Sequence, residues 1–230
     1  MTLIFDIGNT RMKVSTIEGN EIRAIENWQE ILPHANRVLV SNVAGESALP
    51  EEVRQHPGCR ILTWESAEAT KWLKKIPAGL GADRVAADIG ARSMYPEQPL
   101  LIIDAGTCLT FDVIDSDGTI IGGAISPGVN LRLKAMHDYT AALPLLDAIG
   151  DHPVLGYDTP SAMRSGAING MMWEIEGYIR CMLAKYPTLH VFFTGGDSKE
   201  LPGDLARIIT CDPMLVQKGL LAAFRGEIRG

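Results

Sequence analysis

The chain has 230 residues, 46% of them apolar and 21% charged, and a formal net charge of −7. That length can bury a sizeable core in one or two globular domains, and the acidic balance argues against nucleic acid or an anionic membrane as partner, since both select a basic face. Four scattered cysteines without a C-x-x-C, five separated histidines and no apolar run near ~20 residues argue against a zinc site, a disulfide framework and a transmembrane helix.

The N-terminus enters a strand by Leu3 and carries an acid at Asp6, so it does not read as a signal peptide, and a cytoplasmic location is expected. Leu3 to Lys13, L-I-F-D-I-G-N-T-R-M-K, reads as a buried strand, a tight turn at Gly8-Asn9 and an antiparallel return through Val14 and Ile17. An acid closing a buried strand is costly unless something pairs with it. Gly8, Asn9 and Thr10 beside it offer the backbone N–H groups and small polar side chains with which a turn cradles a phosphate. Trp28 to Ala35 reads as a short helix. Arg37 to Val43 reads as a strand whose Ser41-Asn42 end is equally a ligand-facing pair or a plain turn. Glu51 to His56 is helical up to Pro57-Gly58, Arg60 to Trp64 is a strand, and Ser66 to about Lys75 is a helix.

Pro77 to Arg84, P-A-G-L-G-A-D-R, has two glycines that let the backbone bend closely round a ligand. Asp83 falls where an N-cap belongs, ahead of a small-residue helix from Val85 to Met94 suited to close packing. The second half opens with Leu100 to Ile114, where Asp104, Thr107, Thr110 and Asp112 alternate with apolar residues. Thr107 can aim a hydroxyl at a phosphate, while Asp112 reads as a solvated strand position rather than a cation ligand. Ile120 to Gly128 is a strand broken by Gly122-Gly123 and followed by a helix from about Val129. Thr159-Pro160-Ser161 starts a helix, Thr as cap, that runs to about Lys185 with small residues suited to packing within or between subunits. Leu189 to Thr194 is a strand leading into Gly195-Gly196-Asp197-Ser198, a nucleotide-facing loop or an ordinary junction. Asp204 to Cys211 gives the last strand and Met214 to Phe224 a closing amphipathic helix.

Leu101-Ile102-Ile103-Asp104-Ala105-Gly106-Thr107 repeats Leu3-Ile4-Phe5-Asp6-Ile7-Gly8-Asn9 at an offset of 98, and the turn at Glu18 to Ile22 is echoed at Ser116 to Ile120. This indicates an internal duplication into two similar halves, 1–98 and 99–230.

Six blocks carry a resemblance: Asp6-x-Gly8-Asn9-Thr10-x-x-Lys13, Gly81-x-Asp83-Arg84, Asp104-x-Gly106-Thr107-x-x-Thr110-x-Asp112, Gly122-Gly123-x-Ile125-x-Pro127-Gly128, Thr159-x-Ser161-Ala162-Met163-x-Ser165-Gly166 and Gly195-Gly196-Asp197. In this order they resemble the type III pantothenate kinases over nearly the whole chain. The resemblance implies an α/β fold of the actin-like ATPase and sugar-kinase kind, ribonuclease H-like and duplicated, with nucleotide between the halves. It implies ATP-dependent phosphorylation of pantothenate, the first step toward coenzyme A, by a homodimer that needs Mg2+ with ATP and a monovalent cation, K+ or NH4+. By that resemblance Asp6, Ile7, Gly8, Asn9, Thr10, Arg11, Met12, Lys13, Thr107, Gly195 and Gly196 bind ATP. Asp104 binds the monovalent cation. Gly81, Ala82, Asp83, Arg84 and Thr159 face pantothenate, with Asp83 as general base. The family's usual Tyr some nine residues before Asp83 is missing from Lys71-Trp72-Leu73-Lys74-Lys75, where Trp72 is the candidate substitute, and Cys108 replaces a common Ala. The competing readings are a regulator or binding protein on the same fold, or another small-metabolite kinase.

Overall fold

The structure, a computed structural model, describes residues 1–18, 21–68, 70–196 and 206–224. β1 (Thr2–Ile7) is apolar on both faces, with Leu3, Ile4 and Phe5 fully buried, as an interior strand must be. It pairs antiparallel with β2 (Met12–Glu18) and parallel with β4 (Arg37–Asn42). β3 (Glu21–Ala24) extends the sheet beyond β2, and β5 (Cys59–Ile61) extends it parallel to β4. Parallel neighbours need crossovers. α1 (Trp28–Ile31, continued by a 3-10 turn over Leu32–His34) and α2 (Glu51–Arg54) supply them. Trp28 stands edge-on to Phe5 with ring centroids 5.2 Å apart, in a core that includes Leu3, Ile7, Val14, Val38 and Val40. After β5 come α3 (Trp64–Glu68) and α4 (Ala82–Met94).

The chain then repeats the plan. β6 (Leu100–Ala105), β7 (Cys108–Ile114) and β8 (Ile120–Pro127) lead into α5 (Val129–Asp138) and α6 (Thr159–Lys185). β9 (His190–Gly195), β10 (Ile209–Cys211) and α7 (Leu215–Ala223) follow. The sheet orders are β3-β2-β1-β4-β5 and β10-β9-β6-β7-β8. Reversing the second makes β6 the counterpart of β1 and β9 of β4, so the duplication read from the repeated segments is present in the topology. β1 and β6 keep the offset of 98 at both ends, whereas the turn after β6 is only Gly106-Thr107, against Gly8 to Arg11 after β1.

Two compact units result. One comprises Met1–Leu100, Asp112–Gly122 and the chain from Asp212 on; the other comprises Leu101–Phe111 and Gly123–Cys211. In the first, α7 packs on α4 so closely that a Cβ on Gly219 would stand 2.6 Å from the carbonyl carbon of Ala86 and 3.0 Å from the Gly90 nitrogen. The small residues of α4 serve this contact. In the second, Phe111 stacks on Tyr178 of α6 at 4.0 Å between centroids.

Several expectations change. β8 runs unbroken through Gly122-Gly123, and β5 ends at Ile61, so that Trp64 opens a helix and does not close a strand. The helix placed from Ser66 to Lys75 is instead α3, which opens where Thr63 and Ser66 exchange side-chain and backbone hydrogen bonds. The residues around Lys74 are drawn off into a bridge to Thr119, with Lys74 N–H donating to the Gly118 carbonyl at 2.8 Å and Ile120 N–H to the Lys74 carbonyl at 3.0 Å. The cap of α6 is Asp158, not Thr159: its carboxylate accepts from Ser161 N–H at 2.8 Å while Ser161 Oγ accepts from Asp158 N–H at 3.1 Å, a reciprocal capping box. Likewise the N-cap of α4 is Gly81, and Asp83 lies inside the first turn. The Gly19-Asn20 turn, Asp197-Ser198 and the start of the last strand at Asp204 lie outside the described residues. Among the described residues no helix is long and apolar enough to cross a membrane.

Candidate active site

The antiparallel register sets Lys13 of β2 opposite Asp6 of β1, and Lys13 Nζ comes within 3.9 Å of Asp6 Oδ2. Burial pushes the Asp6 carboxyl above its ordinary range. Lys13 and, more weakly, Arg11 pull it back, and the Asp83 carboxylate pushes it up again. Between the strands Gly8 N–H donates to the Arg11 carbonyl at 3.1 Å, so the turn is closed from inside while Asn9, Thr10 and Arg11 are exposed and Ile7 is buried. Two cationic side chains beside a buried acid fit a polyphosphate and its divalent cation. Met12 is more than a third exposed and brings no polar group.

On α4, Asp83 Oδ1 accepts from the Arg84 N–H at 2.8 Å. A Cβ at Gly81 would stand 2.7 Å from that same oxygen, so the glycine leaves the space the carboxylate occupies. Gly81 and Ala82 also line a cavity of about 600 Å³ with Asn42, Arg54, Trp64 and Leu80. Its aromatic wall is Trp64. Trp72 instead donates its indole N–H to the Ala222 carbonyl at 3.2 Å, a packing contact, and it is not among the residues lining this cavity. Asn42 spends its side chain on its own turn, with Nδ2 donating to the Gly45 carbonyl and Oδ1 accepting from Ala44 N–H.

Arg84 grips Asp112 with two bonds, Nε to Oδ2 at 2.8 Å and Nη2 to Oδ1 at 2.5 Å. Asp112 is thus a buried counterion, 1% exposed, and not the solvated strand position its alternation implied. A half-buried guanidinium left alone would be costly, and β7 supplies its partner. Burial raises the Asp112 carboxyl and the Arg84 bonds oppose that. Asp88, four residues after Arg84, is a further buried acid that sequence reasoning passed over; its signal was a lone charge in the apolar run Val85 to Ile89.

The second unit gathers the other candidates. Asp104 is half-buried near the end of β6, and Thr107 is exposed in the turn, its carbonyl accepting from Gly128 N–H at 3.0 Å. Gly195 ends β9 at φ +97°, where a Cβ would stand 2.6 Å from both Asp104 Oδ1 and the Ala105 carbonyl carbon. Only glycine allows that approach, so Gly195 has a packing reason whatever else it touches. Gly196 follows in an exposed turn, and Thr159 is exposed at the start of α6. A carboxylate among backbone carbonyls is a hard-cation donor set. Among the described residues no group of three or more His, Cys, Asp and Glu is arranged to hold a metal.

A family model described as type III pantothenate kinase matches residues 2–181. The chain belongs to the type III pantothenate kinase family. Curated members from Bacteroides fragilis, Phocaeicola vulgatus and Flavobacterium johnsoniae, each described as type III pantothenate kinase, are 47%, 37% and 32% identical to this chain; the alignments cover 96%, 96% and 99% of it and the same shares of theirs. Solved structures extend the likeness to the fold. A Campylobacter jejuni protein described as a Baf family transcriptional activator has a TM-score of 0.65 at 22% identity over 98% of both chains. A Sinorhizobium meliloti protein described as a 2-dehydro-3-deoxygalactonokinase has a TM-score of 0.55 at 14% identity over the full length of both. These likenesses agree with the duplicated actin-like α/β architecture of two five-stranded sheets described above.

Proposed function

We propose that the protein transfers the γ-phosphoryl group of ATP to the terminal hydroxyl of pantothenate, the first step toward coenzyme A. The observation that carries this is the placement of Asp83: in the first turn of α4, over Gly81, beside the cavity that Gly81 and Ala82 line and within electrostatic reach of Asp6, in a chain of this family. Phosphoryl transfer asks the protein mainly to position the acceptor and to neutralise charge. Asp83 takes the hydroxyl proton as that oxygen bonds to the γ-phosphorus and the bond to ADP breaks. Asp6 to Lys13, Thr107, Gly195 and Gly196 handle the nucleotide, with Lys13 and Arg11 as the cations and Asp6 as the acid suited to Mg2+. Mg2+ supplies charge neutralisation on the phosphates when bound. Asp104 holds a monovalent cation, K+ or NH4+. Gly81, Ala82, Arg84 and Thr159 face pantothenate, Arg84 as the cation for an anionic substrate.

A homodimer forms through the second unit, where Ile125 of β8 and Trp173 of α6 are 65% and 55% exposed, and Thr159 reaches the partner's substrate. Light scattering should give twice 25.0 kDa; a monomer at assay concentration rejects it. The reaction itself is tested by ADP release from purified protein against pantothenate, sugars and acetate, where turnover on another acceptor and none on pantothenate overturns the reading. Asp83→Asn should lower kcat by about 10²–10⁴-fold with ATP KM unchanged. Gly81 being the cap, the substitution loses only a first-turn charge, worth about 0.3–1 kcal/mol.

A further inference from the structure

α4 carries one acid that the chemistry above does not use. Asp88 is fully buried, and neither of its carboxyl oxygens has a hydrogen-bond partner among the described residues. It stands four residues after Arg84, so the two share a face of the helix. The Arg84 guanidinium meanwhile grips Asp112 with two bonds. One guanidinium therefore serves three acids, Asp83, Asp88 and Asp112. Ionised together, three carboxylates against one cation would leave two negative charges uncompensated in a largely buried cluster, which desolvation disfavours strongly. Asp112 has both guanidinium bonds, which oppose the rise that burial causes in its carboxyl. Asp88 has none: burial first, then the Asp112 carboxylate, push its carboxyl well up, Arg84 pulls against them, and Asp83 adds a smaller push.

We propose that Asp88 is a positioning residue for Arg84, deciding how far the guanidinium is drawn into the helix–strand interior and how far it is presented, beside Asp83, to the substrate. With a neutral Asp88, Arg84 has one charged partner in the interior and its position is fixed by Asp112 alone. With an ionised Asp88, a second carboxylate competes for the same guanidinium from one turn deeper, and Arg84 is held away from an anionic ligand. The charged groups acting on Asp88 are Asp112 from β7 and Arg84 and Asp83 from α4 itself. The other elements packed on α4 are α7, β4 and α3. Lys218 of α7 is engaged with Asp212 at 2.5 Å, Arg37 of β4 donates to the Phe224 carbonyl at 2.8 Å, and α3 carries Glu65 and Glu68. The inference deepens the proposed kinase reading and rests on Arg84 as a substrate contact.

The test compares KM for pantothenate, KM for ATP and kcat from pH 6 to pH 10 in wild type, Asp88→Asn and Asp88→Leu. Asn copies the neutral acid, and Leu replaces it with an apolar group of similar size; neither can ionise. Wild-type KM for pantothenate should rise by about five- to tenfold toward alkaline pH while KM for ATP stays level. Both variants should hold the low value throughout. Superimposable pH profiles for wild type and the variants, with normal turnover, would overturn this inference alone. Loss of folding in both variants would make Asp88 a purely structural group and overturn it as well. Absence of turnover on pantothenate by every form would overturn the kinase reading and this inference with it.

Discussion

The charge sharing around Arg84 makes a thermodynamic prediction with an unusual sign pattern. Asp112 and Arg84 side chains are 2% and 15% exposed and joined by two bonds, and removing one partner of such a pair costs roughly 3–5 kcal/mol. In Asp112→Asn, however, Asp88 is free to ionise and replace the lost charge. At the ~6 Å of an i,i+4 pair, with an effective dielectric near 20, that attraction is worth about 2–3 kcal/mol. The net cost of Asp112→Asn should then fall to about 0–3 kcal/mol. Asp88→Asn alone removes an acid that has no hydrogen-bond partner among the described residues, and should leave stability within about 1 kcal/mol of wild type or raise it. Added to Asp112→Asn, the same change removes the substitute counterion and should cost a further ~2–3 kcal/mol. Urea unfolding of the four proteins at pH 8, with m-values checked for equality, closes the cycle. Additivity within about 0.5 kcal/mol would show that Asp88 and Asp112 do not share Arg84 and would refute the reasoning.

Asp6→Asn should separate stability from activity. Burial holds the folded-state carboxyl of Asp6 above its unfolded value, so its contribution is fully present below the unfolded pKa and is lost as pH rises through the folded one. Thermal melts should show the variant gaining on wild type from about pH 4 upward and losing that advantage on acidification, while ATP turnover falls. Gly219→Ala should destabilise by about 1–3 kcal/mol or more, because the added methyl meets the Ala86 backbone rather than a side chain that can swing aside; an unchanged Tm would count against the α4–α7 contact. Turnover should rise with K+ or NH4+ relative to Na+, and Asp104→Asn should remove the difference; equal rates in all three salts would argue against a cation at Asp104.

Much of the fold was legible because its strongest signals are local. β1 and β6 are short apolar runs closed by an acid and a glycine, and their repetition gave the duplication before any strand order was known. Helix starts were less legible. Thr159-Pro160 has the composition of a start, but the capping oxygen belongs to Asp158, one residue earlier, and which carboxylate reaches the third N–H is a matter of geometry. Asp83 misled in the same way, a favoured cap residue two places inside a helix that glycine caps. The expected helix from Ser66 to Lys75 failed beyond Glu68 for a non-local reason, since Lys74 bonds to Gly118 and Ile120. Asp112 shows the limit of alternation: its strand position reads as solvent-facing until Arg84, 28 residues away, is known to cover it. The site residues on turns and first helical positions were nameable from motif, whereas the buried acids behind them depended on partners distant in sequence.

The chain from Asp212 on belongs with the unit that Met1 begins, and Gly219 seats α7 on the backbone of α4. On a ribosome, which builds chains from the N-terminus, the first five strands emerge long before the helix that covers α4. The second unit's residues, Leu101–Phe111 and Gly123–Cys211, are all synthesised ahead of that helix. The N-terminal unit must therefore wait with an apolar helix face uncovered while the later one can fold, so the last helix acts as a latch on the first-made unit. A chain released before Asp212 would carry the motif residues from Asp6 to Gly195 and still lack the cover that Leu215 and Leu220, both fully buried, provide.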